Sequence, residues 1–299
     1  MNLKFHGWFT ECSPMWPGQA FSLKINKLIF DKKSQYQHIQ IYETEKYGRM
    51  LVLDGAIQLT ERDEASYQEM LAFLPLNSHP NPEKVLVIGG GDGGILREVA
   101  KHPAVKEIVM CEIDDHVVAA CKEHIPSLAS GFSDPRVTLH FGDGMEFLGS
   151  HAGKFDVIIT DASDPVVPDD DEAGKDGPAA TLFNDAFYAR LHEKLNPEGV
   201  LACQGESMWL HKDLIKGLMK KSRELYPVVE YAYTCTPSYP CGQIGFILCS
   251  KNPTLNLRVP VTKWTSEEVK RLKLKYYNTD IHSASFVLPT FMTEFLSSD

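Results

Sequence analysis

The sequence predicts an α/β protein in which a small antiparallel β-domain precedes a doubly wound parallel sheet. Two observations predict this class. Short strand-like segments joined by turns follow one another over residues 20–60, and strands alternate with helices beyond the break His79-Pro80-Asn81-Pro82. We therefore divide the 299 residues into an N-terminal β-domain, residues 1–62, and a larger α/β domain, residues 63–299.

The N-terminal segments have the period of half-buried strands. Apolar and polar residues alternate over Phe21–Ile25, over Ile39–Ile41 and over Ile57–Leu59. Asp54-Gly55 lies between the run Met50–Leu53 and the last of these segments, and this dipeptide predicts a tight hairpin turn. Successive short strands joined by turns favour antiparallel hairpins.

The period changes at Asp63, where apolar residues reach helical spacing up to Leu74 and predict a helix that ends near Pro75. Val85–Ile88 is a continuous apolar run, which is typical of a strand buried in a parallel sheet. Helices are predicted over residues 94–101 and 117–125. Further strands are predicted over residues 108–111, 137–141, 157–160, 200–203 and 246–249, and an antiparallel direction is favoured for the last.

Charge and composition exclude several classes of protein. The formal net charge of -10 argues against nucleic-acid binding and suits a cationic substrate, although many cytosolic proteins are mildly acidic. No stretch approaches the ~20 apolar residues of a membrane span, and the N-terminus does not resemble a secretory signal. The seven cysteines form no C-x-x-C pair and the histidines no H-x-x-x-H pair. We expect a cytoplasmic protein with no metal and no membrane contact.

A glycine-rich loop follows the first buried strand. Gly89, Gly91 and Gly94 match G-x-G-x-x-G between this strand and a helix, and Glu112 ends the next strand, where an acid can bind ribose hydroxyls. These features predict an adenosine-containing ligand, and NAD also fits them. Asp92 lies inside the loop, where its charge would repel a pyrophosphate but attract an ammonium or a sulfonium.

Further acids end the following strands. Asp143 lies in Gly142-Asp143-Gly144, and Asp161 opens Asp161-Ala162-Ser163-Asp164-Pro165. Acids at successive carboxyl ends of a parallel sheet favour the Rossmann-like fold of S-adenosylmethionine-type methyltransferases over an NAD fold. Asp161 and Asp164 could hold the amines of a diamine, or could form an ordinary Asp-Pro turn. Tyr67, Gln68 and Tyr239 could add polar contacts or serve as packing residues. Residues 166–181 are acidic and predict a mobile loop.

The ordered set of motifs resembles the polyamine aminopropyltransferase family nearly end to end. The matching segments are Trp16-Pro17-Gly18-Gln19, Ser34-Gln35-Tyr36-Gln37, Leu53-Asp54-Gly55, Thr60-Glu61-Arg62-Asp63-Glu64, Tyr67-Gln68-Glu69-Met70, Gly89 to Gly94, Glu112-Ile113-Asp114, Gly142-Asp143-Gly144, Asp161 to Pro165, Gln204-Gly205-Glu206, Tyr239-Pro240, Lys275-Tyr276-Tyr277-Asn278 and Leu288-Pro289. The chain departs from the family pattern at Val167, which replaces a glycine, and in the acidic stretch between Pro168 and Leu182.

The resemblance implies an activity: transfer of the aminopropyl group of decarboxylated S-adenosylmethionine to putrescine, giving spermidine and methylthioadenosine without a metal or other cofactor. It implies a donor site formed by Gln37, Gln68, Gly89, Gly91, Asp92, Glu112, Asp143, Gly144 and Pro168. It implies a diamine site formed by Tyr67, Asp161, Asp164 and Tyr239, with Asp161 as the catalytic acid-base residue. It also implies a homodimer built through the N-terminal β-domain.

Three other functions remain open at this point. They are an N-methyltransferase acting on putrescine, an inactive relative that serves as a regulatory subunit and, less well supported, a NAD-dependent dehydrogenase. The motifs do not distinguish putrescine from longer acceptors, or a dimer from a tetramer.

Overall fold

The computed structural model describes residues 6–162, 182 and 184–298. The first sheet has the strand order β1-β2-β3-β4-β5, and every neighbouring pair is antiparallel, as the sequence predicts. Its strands are β1 (Trp8–Glu11), β2 (Phe21–Lys33), β3 (His38–Thr44), β4 (Arg49–Leu53) and β5 (Ala56–Thr60). Asp54 and Gly55 both have positive φ, at 47° and 81°, which the predicted two-residue turn requires.

The second sheet has the order β11-β12-β10-β9-β6-β7-β8. Its strands are β6 (Lys84–Gly89), β7 (Glu107–Glu112), β8 (Val137–Phe141), β9 (Phe155–Asp161), β10 (Leu195–Gln204), β11 (Val228–Cys235) and β12 (Gln243–Ser250). The five strands from β10 to β8 are parallel, and β12 runs antiparallel to both β10 and β11. Strand β11 was not predicted from the sequence.

Helices cover both faces of this sheet. Those of the described residues are α1 (Glu64–Ser78), α2 (Gly94–Lys101), α3 (Asp115–His124), α4 (Pro126–Ala129), α5 (Gly144–Ser150), α6 (Asp185–Lys194), α7 (Lys212–Leu225), α8 (Ser266–Arg271), α9 (Thr279–Ala284) and α10 (Thr290–Ser297). Val85 and Val87 of β6 pack with α1 and α2, whereas Leu86 and Ile88 pack with α6 and α7. Because β6 is buried on both faces, its residues form the continuous apolar run seen in the sequence. This is the predicted doubly wound architecture.

Helix α1 passes through Pro75 and ends at Ser78, so the prediction that it ends near Pro75 was wrong. A proline inside a helix costs about 3 kcal/mol. All fifteen residues of α1 are buried, and burial of a single leucine side chain contributes about 1.5–3 kcal/mol. Packing therefore outweighs the interruption.

The first sheet packs against helix α3, which covers part of the second sheet. Ile39 and Leu51 share a core with Val117 and Cys121 of α3, which follows β7. This contact holds the N-terminal sheet over the carboxyl ends of the parallel strands. Across the described ranges of the chain, no helix is long and apolar enough to cross a bilayer.

Candidate functional site

A cavity lies where the N-terminal sheet faces the carboxyl edge of the parallel strands. Its described lining includes six acidic side chains and no lysine or arginine. The acids are Glu11, Asp92, Glu112, Asp143, Asp161 and Glu206. A concave surface with acidic groups and no basic side chain raises the local concentration of cationic ligands.

The cavity coincides with the point where the order of the parallel strands reverses. The chain moves outward from β6 to β7 and β8, then returns to place β9 on the other side of β6. Gly89 at the end of β6 pairs in register with Asp161 at the end of β9. Crevices at such reversals are the usual ligand sites of open α/β sheets.

The glycine loop is pressed against this strand end. Gly89 has a φ of 81°, and a Cβ placed on it would lie 2.0 Å from the backbone oxygen of Asp161. The Gly90 N–H donates a hydrogen bond of 2.8 Å to the same oxygen. A Cβ on Gly91 would lie 3.0 Å from Glu112 Oε2. A side chain at Gly89 would collide with the backbone of Asp161. The glycine predicted by the G-x-G-x-x-G pattern is therefore required at this position, because it lets the two backbones approach closely.

Asp92 belongs to the glycine loop, and its side chain faces helix α1. Its Oδ1 accepts hydrogen bonds from the Gly94 N–H, at 2.7 Å, and from Gln68 Nε2, at 3.0 Å. Desolvation, together with the nearby charge of Asp161, raises the pKa of Asp92 to about 8. A cationic group bound beside this side chain would oppose both effects and stabilise the carboxylate.

Glu112 lies at the end of β7, and Asp143 lies two residues beyond the end of β8. Desolvation raises the pKa of Glu112 to about 7, and its Oε1 accepts a hydrogen bond of 2.9 Å from the Asp114 N–H. Asp143 caps helix α5, because its Oδ1 accepts from the Glu146 N–H at 3.0 Å. Asp143 therefore stabilises a helix terminus as well as lining the cavity.

Asp161 contacts Tyr67 directly, since the Tyr67 hydroxyl donates a hydrogen bond of 2.6 Å to its Oδ1. Its Oδ2 faces the glycine loop, 3.3 Å from where a Cβ on Gly90 would lie. Desolvation raises the pKa of Asp161 to about 6, while the hydrogen bond from Tyr67 opposes that rise. The ring of Tyr239 lies 5.6 Å from that of Tyr67, and its hydroxyl donates to the backbone oxygen of Gln58 at 2.7 Å.

The structure thus brings most of the predicted site residues to one cavity. Those that line it are Gln37, Tyr67, Gln68, Gly89, Gly91, Asp92, Glu112, Asp143, Gly144, Asp161 and Tyr239. Asp164, Pro168 and the predicted mobile loop 166–181 lie outside the described residues.

A second group of polar residues, whose role was not predicted from the sequence, lies on the β10 side of the cavity. Glu206 follows β10 and is only 4% exposed, and its Oε2 lies 3.0 Å from His211 Nδ1. Glu206 Oε1, Trp16 Nε1 and Gln243 Nε2 are buried without a hydrogen-bond partner among the described residues. Glu11 comes from β1, and its Oε1 accepts from the Ile57 N–H at 2.7 Å. Glu206 belongs to the motif Gln204-Gly205-Glu206, and its position just after a buried strand is the sequence signal of a site residue.

One group of side chains in the described residues has the geometry of a metal site. Asp114, Asp115 and His116 each offer a ligand atom within 4.8 Å of the others. The Asp114 carboxylate, however, already accepts hydrogen bonds from Ser34, Gln37 and the His116 N–H. This arrangement favours a structural role for Asp114 over metal binding.

The fold and the cavity define a Rossmann-like transferase with an acidic cleft at the carboxyl ends of its parallel strands. Residues 64–258 match the spermine/spermidine synthase domain, and residues 7–61 match the spermidine synthase tetramerisation domain. The chain belongs to the spermine/spermidine synthase family, as the sequence motifs predict.

Individual relatives agree with this assignment. The chain is 51% identical over 285 residues to spermidine synthase of Schizosaccharomyces pombe, covering 95% of this chain and 92% of that protein. It is 50% identical over 292 residues to spermidine synthase of Dictyostelium discoideum, covering 98% of each.

Solved structures also superpose closely. A spermidine synthase in complex with the transition-state analogue AdoDATO matches with a TM-score of 0.87 at 33% identity, over 98% of this chain and 96% of that one. Spermidine synthase from Thermotoga maritima matches with a TM-score of 0.84 at 32% identity, over 98% and 95%.

Proposed function

We propose that this chain transfers the aminopropyl group of decarboxylated S-adenosylmethionine to putrescine and releases spermidine and methylthioadenosine. The observation that carries the proposal is the row of acids along the sheet edge, at the ends of β8, β7, β6, β9 and β10, in a cavity whose described lining has no basic side chain. Both substrates are cations, and spermidine synthases among the relatives support the same reaction here.

The donor lies over the ends of β6, β7 and β8. Glu112 accepts hydrogen bonds from ribose hydroxyls, and Asp92 pairs with the ammonium of the propyl arm. Intact S-adenosylmethionine adds a carboxylate to that arm, which Asp92 would repel, so this residue favours the decarboxylated donor. The remaining donor residues are Gln37, Gln68, Gly89, Gly91, Asp143, Gly144 and Pro168.

The acceptor lies between Asp161 and the loop that carries Tyr239. Tyr67 donates to Asp161 Oδ1, which leaves Oδ2, on the side of the glycine loop, to orient the attacking amine. Asp164 completes this end of the diamine site. An amine of putrescine has a pKa of about 10 and must lose a proton before it attacks, and Asp161 accepts or relays that proton.

The reaction is an in-line displacement. The amine nitrogen forms a bond to the propyl carbon, the bond from that carbon to sulfur breaks, and its electron pair neutralises the sulfonium. Because the sulfonium is already a good leaving group, the protein mainly aligns nitrogen, carbon and sulfur. Such alignment can contribute several kcal/mol to lowering the barrier. Since the amine must be deprotonated, we expect an alkaline pH optimum.

The second ammonium of the diamine lies on the β10 side of the cavity. Neighbouring parallel strands are about 4.8 Å apart, so the end of β10 is one strand away from Asp161. Glu206 and Glu11 supply carboxylates there, and Glu206 Oε1 is buried without a partner among the described residues. A diamine can therefore span two adjacent strand ends, with one amine at Asp161 and the other near Glu206.

A product assay tests the function. The protein is incubated with putrescine, cadaverine or spermidine and with either decarboxylated or intact S-adenosylmethionine, and the products are identified by mass spectrometry. We expect spermidine and methylthioadenosine from putrescine and the decarboxylated donor, and loss of both products in Asp161→Asn. Methylated putrescine from the intact donor would instead indicate an N-methyltransferase, and no product from any pair would contradict the proposal.

The assembly is a homodimer in this proposal, built through the N-terminal domain, residues 1–62, beside the catalytic domain, residues 63–299. The match of residues 7–61 to a tetramerisation domain supports self-association, as do exposed Trp8 and Leu28 on β1 and β2. Light scattering during gel filtration distinguishes a dimer from a tetramer.

A cytoplasmic location is supported by seven free cysteines, and cell fractionation tests it.

A further inference from the structure

Asp114 is a buried acid that lies behind the donor side of the cavity. It caps the N-terminus of helix α3 two residues after Glu112, is 0% exposed, and does not line the cavity itself. Its Oδ2 accepts from Ser34 Oγ at 2.6 Å and from Gln37 Nε2 at 3.1 Å, while its Oδ1 accepts from the His116 N–H at 3.1 Å. One side chain thus joins the N-terminal sheet to the start of α3.

The contact with Asp114 decides which end of the Gln37 amide faces the cavity. A carboxylate only accepts hydrogen bonds, so the nitrogen of the Gln37 amide must point at Asp114. Gln37 lines the cavity, and its Oε1 is the atom left to face a ligand.

The backbone of Asp114 acts similarly on Glu112. The Asp114 N–H donates to Glu112 Oε1 at 2.9 Å, and Glu112 Oε2 lies against the glycine loop at Gly91. Two hydrogen-bond acceptors, Gln37 Oε1 and Glu112 Oε2, are therefore held on the same side of the cavity by one residue.

We propose that Asp114 is a positioning residue that presents Gln37 Oε1 and Glu112 Oε2 to the two ribose hydroxyls of the donor. This inference rests on the proposed function, because it takes the ligand to be a nucleoside. A vicinal diol has two donors, and two acceptors oriented in advance match it without reorganisation on binding.

The variant Asp114→Asn tests the orientation while preserving the helix cap, since asparagine caps helices as well as aspartate does. Its amide nitrogen would meet the Gln37 nitrogen, and the Gln37 amide must turn to present oxygen to it. The NH2 group then faces the ribose in place of oxygen. We expect the Kd of methylthioadenosine, measured by calorimetry, to rise about tenfold. The KM of the donor rises similarly, with kcat at saturating donor and the KM of putrescine within twofold of wild type.

A second substitution provides a rescue that a purely structural role would not produce. In the double variant Asp114→Asn with Gln37→Glu, the new carboxylate accepts from the new amide and again places an acceptor oxygen toward the ribose. We expect the affinity for methylthioadenosine to recover to within about threefold of wild type. Gln37→Glu alone should weaken binding, because two carboxylates would face each other.

Asp115→Asn serves as the matched control, since it removes an acid at the adjacent position that is 65% exposed and should leave binding unchanged. Wild-type affinity for methylthioadenosine in Asp114→Asn would overturn the inference. A weakened single variant that Gln37→Glu fails to rescue would also overturn it. If the wild-type protein binds no methylthioadenosine at all, the proposed function itself fails, which is a distinct result.

Discussion

The donor and acceptor sides of the cavity are built in different ways. The acids of the donor side come from one stretch of chain, residues 89–144, and follow three consecutive strands that are neighbours in the sheet. The acceptor side combines Glu11 of β1, Tyr67 of α1, Asp161 of β9, Glu206 beyond β10 and Tyr239 before β12. A local sequence pattern can describe the donor acids, whereas only folding assembles the acceptor side.

The two sides also differ in how their carboxylates are held. Asp92 and Glu112 accept backbone N–H groups from Gly94 and Asp114 within two residues of themselves, and Asp92 accepts in addition from Gln68 of α1. Asp161 accepts from the hydroxyl of Tyr67, which is distant in the sequence. Substitutions on the donor side should therefore change donor binding alone, and those on the acceptor side should change the step that involves the amine.

The largest effect is expected for Asp161→Asn. Without the carboxylate the amine loses its proton acceptor, and kcat should fall about a thousandfold. The Kd of methylthioadenosine, measured by calorimetry, should stay within threefold of wild type. A parallel loss of nucleoside binding would show that the two sides are not separable.

Asp92→Asn should produce the next largest effect, on the donor side. Removing the carboxylate that pairs with the propyl ammonium should raise the Kd of decarboxylated S-adenosylmethionine about thirtyfold. The preference over the intact donor should narrow, because the repulsion of its carboxylate is also removed. Calorimetry measures the Kd of each donor, and an unchanged ratio of the two Kd values would contradict the role of Asp92.

Glu206→Gln should have a smaller effect that depends on the acceptor. We expect the KM of putrescine to rise about tenfold, while the turnover of a monoamine of similar length is unaffected, since it has no second ammonium. Asp213→Asn removes an exposed acid of α7 and is the control. Equal losses with the diamine and the monoamine would place the second ammonium elsewhere.

The smallest effect concerns stability. The pKa of Asp92 is about 8 in the folded protein, above the ordinary value of 3.8, so the unfolded chain ionises first and the free energy of unfolding falls as the pH rises towards 8. Asp92→Asn removes this dependence. Its Tm should exceed that of wild type by about 2 °C at pH 8, and by less at pH 5, as measured by scanning calorimetry without ligand. A rise in Tm that is larger at pH 5 than at pH 8 would mean that burial does not destabilise the ionised Asp92 carboxylate.

Individual elements show how far sequence reasoning extends. Asp54-Gly55 was predicted as a hairpin turn because two consecutive residues with positive φ need such a pair. Helix α1 extended beyond Pro75 because its packing, which depends on distant residues, outweighs a local signal. Strand β11 was not predicted; it lies at the sheet edge and its residues Val228–Glu230 are only partly buried, so no continuous apolar run marks it.

Sequence patterns are sufficient to predict the α/β class, the glycine loop, the family and the acids that end the strands. Each of these depends on residues close together in the chain, whose spacing reports backbone conformation directly. Only the folded chain shows that Glu11 and Glu206 share a cavity with Asp161, and that the Gln37 amide donates to Asp114. Such contacts join residues far apart in sequence, and their geometry depends on how the N-terminal sheet packs over the parallel strands, which no local spacing encodes.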